Sequence, residues 1–382
     1  MNGVDKNVLI ISPEPWGISK ISKHHYAIAF ANKGYLVYFL TLHIGKLSKN
    51  IEICPDHKNI QIVNFPISNL LNKLRFRWRW GYNLIVGKKV LSWAYQHRAL
   101  DLLLSFDRNG VFTNLSNFKA KKTIFFPVDK VIKRFVREYK GFDRLISISP
   151  VILESFPHVK NKILFNHGLS PDFVAIAQQE DNYNSKKEVK KIAYVGNLLI
   201  GPILDKPVLQ TILNQHCDYE FHFFGAFEPR ANNLGSDTSK ESMEFIEFLK
   251  KADNCILHGM VASNILALDL LDMDAFLICY DYRFDKNRCS NAHKVLEYLA
   301  LGKPIISTRI SMYDNLKLFP MLDTFDNSNF PNFFKEQLQN WTLINTEEAF
   351  SRRKDYALKN SYSEHANKIE EILGKGISQL PL

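Results

Sequence analysis

The chain has 382 residues, 46% of them hydrophobic and 13% aromatic, which is too long for one core of ordinary size and suits two domains. No run of about 18 uncharged apolar residues occurs, so no transmembrane helix is expected; VLIISPEPW near the start is too short for a secretory signal, and five scattered cysteines without C-x-x-C spacing argue against structural zinc and suit buried thiols in a reducing cytosol. The net charge of +10 is uneven, because residues 1–168 hold 26 Lys and Arg against 10 Asp and Glu, a net of +16, and the remainder is at −6; the first half should therefore meet an anionic partner, whether a membrane surface, a phosphorylated acceptor or nucleic acid.

Asn7 to Ser12 (NVLIIS) is a continuous apolar run, as in a strand buried on both faces of a parallel sheet. A helix is expected from about Ser22 to Lys33, stopped by Gly34, and LVYFL supplies the second strand. This βαβ opening suits a Rossmann-like domain. NIQIVNFP (59–66) reads as another strand. In the segment after it, Arg75, Arg77 and Arg79 alternate with Phe76, Trp78 and Trp80, and Trp93 and Tyr95 follow. Aromatics with basic neighbours suit the headgroup region of an anionic membrane; the other reading is a core helix whose arginines reach outward.

LDLLLSFD (100–107), KKTIFFPVD (121–129) and RLISIS (144–149) are three further strands, each ending in a polar residue. Ligands of such sheets bind beyond the carboxyl ends of the strands, so Asp107 and Asp129 fall where chemistry can occur. Asp129 is the better placed, either as a catalytic group or as the cap of a helix in VIKRFVREYK. A polar linker is expected at 178–191. KIAYVGN, FHFFGAF, CILHGM, AFLICY and PIIST then alternate with helical segments, which again describes a doubly wound sheet. Gly196 would let backbone approach a phosphate. Asp272-x-Asp274 sits at a helix-to-strand junction and is not read as a metal site; no metal or cofactor is expected.

The stretch from Arg288 to Arg309 reads as a helix capped by Ser290 or Asn291, stopped by Gly302 and followed by a buried strand. Val295, Leu296, Leu299 and Ala300 give its apolar stripe. His293, Lys294 and Glu297 share another face beside the first turn. Lys294 would hold a diphosphate there, and Glu297 would accept bonds from ribose hydroxyls; the alternative is a Lys294–Glu297 surface pair.

HKVLEYLALGKPIIST (293–308) resembles the K-x-[FL]-E-Y-x-A-x-G-K-P-[IV]-[IV] signature of GT-B-fold glycosyltransferases, which take a sugar from a nucleotide donor. The Pro15-Trp16 loop, His24-His25, the A-x-K-G-Y-x-V segment at 31–37, FFPVD and ILFNHGLSPDF resemble other parts of the same enzymes. The resemblance implies an α/β chain of two Rossmann-like doubly wound domains facing a cleft. Residues 1–168 would form the acceptor domain and 187–360 the donor domain, with a helix at about 361–382 packing back on the first. It also implies donor contacts from Gly196, Asn197, Met260, Asn291, His293, Lys294 and Glu297, acceptor contacts from Trp16, His24 and His25, and Asp129 beside the reacting sugar. The pattern departs from the family at Cys289, where many retaining members carry a second glutamate, and at Asn197, where an arginine is common, with Lys206 loosely in place of a later lysine.

The expected function is transfer of a sugar from a nucleotide-sugar donor to a polysaccharide or lipid-linked glycan, by a cytoplasmic enzyme lying peripherally on an anionic membrane surface. A sugar-nucleotide epimerase of the same fold has no use for a basic acceptor half. A nucleic-acid-binding module built on RFRWRW leaves the Glu297 helix without a purpose, and nucleic acid is not the expected partner.

Overall fold

Two runs of strands and helices build two separate sheets. A computed structural model describes residues 6–17, 20–44, 50–94, 100–179, 183, 188–228 and 239–374, with the side chains of 42–50 and 87–99 not among them. Residues 1–166 and 362–382 form one compact unit and 167–361 the other. His167 and Gly168 thus open the second unit rather than closing the first. Much of the linker expected at 178–191, and the side chains of Trp93 and Tyr95, lie outside the described residues.

In the first unit, β1 (Asn7–Ser12) is buried along its whole length, as its apolar run requires. It is followed by α1 (Ser22–Asn32), β2 (Leu36–Ile44), β3 (Asn50–Ile53), β4 (Ile60–Ile67), α2 (Asn69–Arg77), α3 (Arg79–Ala94), β5 (Leu102–Ser105), β6 (Lys122–Phe125), β7 (Arg144–Ser147) and β8 (Lys162–Leu164). The order across the sheet is β3-β4-β2-β1-β5-β6-β7-β8, with β3 antiparallel to β4 and the other pairs parallel. The winding reverses between β1 and β5, which places the switch point of this sheet at their carboxyl ends. The terminal helix Tyr362–Gly374 belongs to this unit and packs on α1. Tyr26 Oη lies 2.9 Å from His365 Nδ1, and Tyr35 Oη donates to Glu370 at 2.6 Å.

The second unit holds β9 (Lys191–Val195), β10 (Glu220–Phe224), β11 (Cys255–Gly259), β12 (Ala275–Ile278) and β13 (Ile305–Ser307), all parallel in the order β11-β10-β9-β12-β13. Its switch point lies between β9 and β12. Together the two units give the α/β, doubly wound architecture expected from the sequence.

Local details depart from expectation for physical reasons. VIKRFVREYK forms only the 3-10 turn Lys133–Phe135, so Asp129 caps no helix. The motif helix starts later than expected: Asp285 accepts the Arg288 N–H at 3.0 Å and starts a short helix, Lys286–Ser290, and Ser290 Oγ closes that one by donating to Asn287 O at 2.6 Å. The chain is extended at Asn291, and the helix that follows is Lys294–Ala300, with His293 at its cap position.

That helix is tied to the sheet by Tyr298. Its ring stacks on Phe276 with centroids 4.1 Å apart, and its Oη accepts the buried Val195 N–H at 2.8 Å. Tyr298→Phe keeps the ring and leaves the N–H unpaired, so it should lower unfolding free energy by about 1–3 kcal/mol. Chemical denaturation measures this, and a variant as stable as the parent would show that the tie contributes nothing.

Candidate functional site

The parallel strands of the second unit put their carboxyl ends together, and three neighbours end in glycine. Gly196 follows β9, Gly225 follows β10 and Gly259 closes β11. Gly196 N–H donates to Phe224 O at 2.8 Å and Gly225 N–H to Gly259 O at 2.7 Å, which draws the strand ends into one rim. A Cβ on Gly225 would lie 1.9 Å from Gly196 O, and its φ of +140° is closed to most side chains. No side chain can therefore grow between these strand ends.

A cavity of ≈ 340 Å³ opens there. Its walls are Val195, Gly196 and Asn197 beyond β9, Phe224, Gly225 and Ala226 beyond β10, Met260, Val261 and Leu266 beyond β11, and Lys294 from the motif helix. Three stretches far apart in sequence thus meet in one place, bringing together Gly196 and Asn197, Met260, and Lys294. Asn197 Oδ1 accepts the Leu199 N–H at 2.9 Å and fixes the turn after β9. Met260 is 70% exposed at the mouth.

Lys294 connects the cavity to Glu297. Its Nζ lies 2.8 Å from Glu297 Oε2, and His293 Nδ1 lies 3.4 Å from Oε1. The carboxylate is 6% exposed, so this is no surface pair, and its neighbours are the two side chains the helical spacing placed on its face. His293 also meets the His167 ring edge-on at 5.0 Å, and His167 Nε2 lies 3.2 Å from Asn291 O. Asn291 is buried and reaches the group through that backbone contact. Lys206 does not join them: it is buried and donates to Gly201 O at 2.6 Å.

A second hollow of ≈ 280 Å³ shares Ala226 and Met260 with the first and is bordered by Phe227, Glu228 and His258. His258 stacks flat on Phe224, centroids 4.0 Å apart at 4°, and its Nε2 lies 2.9 Å from His222 Nδ1. Burial, with the second histidine adding to it, holds the His258 pKa below the ordinary value. Sequence reasoning stopped at Met260 and missed this ring; a histidine two residues before it, on a strand ending in the same rim, was the available signal. Asp274 accepts the backbone N–H groups of Lys190 and Lys191, both at 2.9 Å, and Asp272 pairs with Lys191 Nζ at 2.5 Å. The D-x-D thus ties a strand entrance.

In the first unit, the structure corrects one expectation and refines others. His24 is 1% exposed; its Nδ1 accepts the Ile21 N–H at 3.0 Å and its Nε2 donates to Pro15 O at 3.0 Å, so one nitrogen is occupied in capping α1, the other in holding the loop after β1, and neither is available to an acceptor. Burial also lowers its pKa. Trp16 packs edge-on to His24 and Phe39 and donates to Asp56 at 2.7 Å. His25 stacks on Tyr362 at 4.8 Å. Asp129 lies four residues past β6, about half exposed, 3.7 Å from Arg108. Asp107 is buried, with its oxygens held by the N–H groups of Asn109 at 2.9 Å and Phe112 at 2.7 Å.

No protein-family model matches this chain, and no curated protein matches it in sequence. Solved structures do. One is described as trehalose-6-phosphate from E. coli bound with UDP-2-fluoro glucose, at TM-score 0.69 and 10% identity over 97% of this chain and 100% of that one. An alpha,alpha-trehalose-phosphate synthase (UDP-forming) from Burkholderia vietnamiensis gives 0.63 and 10% over 97% and 99%. The N-terminal domain of Candida albicans trehalose-6-phosphate phosphatase gives 0.62 and 11% over 97% and 96%. At these identities the likeness establishes the fold, and the chain has the two-domain GT-B fold along nearly its whole length.

Proposed function

We propose that this chain is a glycosyltransferase whose second unit holds a nucleotide-sugar donor, a uridine diphosphate sugar being the first candidate because similar structures are described with UDP. The observation that carries this reading is the gathering of Gly196, Asn197, Met260 and Lys294 around one cavity, with the buried Glu297 2.8 Å behind the lysine. Bare backbone at Gly196 and Gly225 lets phosphate oxygens come close, and Lys294 supplies the charge that offsets a leaving diphosphate, so this reading needs no divalent cation. Glu297 accepts ribose hydroxyls and holds Lys294 in place.

The acceptor hydroxyl oxygen bonds to the anomeric carbon as the bond from that carbon to the diphosphate oxygen breaks. In the inverting form of this chemistry Asp129 takes the hydroxyl proton as general base. The acceptor is a glycan or a lipid-linked glycan met at an anionic membrane face. What supports that face is α2 and the start of α3, where Leu70, Phe76, Trp78, Trp80 and Leu84 are each more than 40% exposed. The core reading of these aromatics does not describe them. Basic side chains surround them, although the three arginines of the motif differ: Arg77 is exposed, Arg75 is half-buried, and Arg79 is paired with Glu138 at 3.1 Å and with Thr113 at 2.8 Å. Lys73, Lys133 and Arg134 complete the exposed set. No helix among the described residues is long and apolar enough to cross a bilayer, so the association would be peripheral, on the cytoplasmic side.

Three measurements test this reading. Glu297→Gln, which preserves volume, and Glu297→Ala should both weaken UDP binding by about 1.5–3 kcal/mol in calorimetry; unchanged affinity in a folded variant removes Glu297 from the donor site. Asp129→Asn should lower turnover by about 10² and leave UDP affinity intact; near-parental turnover would reduce Asp129 to a partner of Arg108. Binding to anionic vesicles should fall with salt and fall again in Trp78→Ser/Trp80→Ser, with Arg77→Ser contributing about 1 kcal/mol. Equal binding to neutral vesicles, or none to either, would leave the basic half to a soluble acceptor.

A further inference from the structure

In the second unit, the loop that follows β13 and the helix Glu347–Leu358 enclose a cavity of ≈ 630 Å³. It shares no residue with the cavity beside Lys294, and its volume suits a whole small molecule. The floor is apolar: Leu318, Phe319 and Leu322 are buried there, and Leu343 borders it at 74% exposure. Four cations and three carboxylates stand around that floor. Arg309 is paired with Asp314 at 2.7 Å. Lys317, Arg352, Asp323 and Glu348 are exposed, and among the described residues none of the four is in an ion pair, although Glu348 and Arg352 have the four-residue spacing that would permit one.

Arg353 differs from the other cations. It is buried, burial pushes its pKa down to about 10, and among the described residues no carboxylate pairs with it. Three carbonyls hold it instead: Nε donates to Leu318 O at 2.9 Å, Nη1 to Gly302 O at 3.1 Å and Nη2 to Ile344 O at 2.5 Å. Leu318 and Ile344 belong to the cavity, whereas Gly302 ends the motif helix. The same glycine, at φ +70°, meets the helix Glu347–Leu358 directly, because a Cβ there would run into the Phe350 ring. One face of that helix, with Ala349, Arg352 and Arg353, therefore lines the cavity, and the adjoining face bears on the end of the helix that carries Lys294 and Glu297.

We infer that this cavity binds a small amphipathic monoanion, an apolar body bearing one carboxylate, and that its occupation tightens donor binding. The surplus of one cation over the carboxylates of the wall matches a single negative charge. The carboxylate bonds to Lys317 and the Arg352 guanidinium, and the apolar body lies on the floor. Lys317 belongs to the loop and Arg352 to the helix, so a ligand held by both bridges the two walls and fixes the helix Glu347–Leu358 on Gly302. The motif helix, steadied at that end, has less freedom left to lose when a donor binds at Lys294, which makes the two events cooperative. The site itself is independent of the glycosyltransferase reading; the coupling rests on it.

The full chain is titrated with octanoate against octanol and with phenylbutyrate against phenylbutanol. At least one acid should bind about five-fold or more tightly than its alcohol. Lys317→Gln/Arg352→Gln should remove that preference while keeping the parental unfolding temperature, which shows that the variant is folded. With the acid at saturation, the parent should bind UDP about five-fold more tightly, and the same acid concentration should leave the UDP affinity of the double variant unchanged. No binding by either acid, equal binding of acid and alcohol in both pairs, or a preference that survives the double substitution overturns the site. A UDP affinity of the parent that the bound acid leaves unchanged or lowers overturns the coupling. Failure of the donor reading would show separately, as absence of UDP binding by the parent alone, and the acid titrations then decide the site by themselves.

Discussion

The second unit depends on the contact between Gly225 and the backbone of Gly196. Parallel strands bring their carboxyl ends level, and with ordinary side chains there the ends would be roofed over. Here the Gly225 Cα faces the Gly196 carbonyl so closely that a Cβ would come within 1.9 Å of it, and Gly225 N–H and Gly196 N–H lock the neighbouring strands at 2.7 and 2.8 Å. What is left is a rim of backbone, in which polar N–H and C=O groups meet the cavity without intervening side chains. The motif helix adds the one thing that backbone lacks, a full positive charge.

That charge is held by an arrangement costly to bury in isolation. A carboxylate at 6% exposure is tolerable only when paired. Glu297 has Lys294 on one oxygen and His293 near the other. The lysine in turn is kept at the cavity wall, where a free side chain of its length would range over many rotamers. Tyr298, the next residue, bonds to Val195 directly before Gly196. Charge and glycine rim are thus fixed to each other through adjacent residues of one short helix, so a shift of this helix would move the cation relative to the strand ends.

The sequence shows most clearly the features that depend on periodicity. Continuous apolar runs at 7–12 and 102–105 gave buried strands, and the 3- and 4-residue spacing put His293, Lys294 and Glu297 together. Features that depend on a competition between hydrogen bonds were not legible. His24 looks identical to His25 in sequence, but only His24 sits where its Nδ1 can reach the Ile21 N–H. Ser290 is a good cap by type, yet Asp285 had already started a turn upstream. The residues after Asp129 have helical composition and form one 3-10 turn, since no side-chain cap bond starts it and Phe135 is drawn into the core. The sequence placed His258 two residues before Met260, but not its stacking on Phe224, which is a contact across strands.

The alternation Arg75-Phe76-Arg77-Trp78-Arg79-Trp80 shows the same limit. Read as a string, it is three equal cations. In the folded unit Arg79 is neutralised by Glu138, Arg77 is in solvent, and Arg75 lines a cavity. A helix breaks these roles apart because successive residues differ in direction by about 100°. The helix is seated by Leu71 and Leu74, partly buried against the core of the first unit, while Leu70, Phe76 and Arg77 stay in solvent. Such a helix is stabilised chiefly by what it covers and by what covers it. For α2 that packing is the seat of Leu71 and Leu74, so their burial decides which cations of the alternation reach solvent.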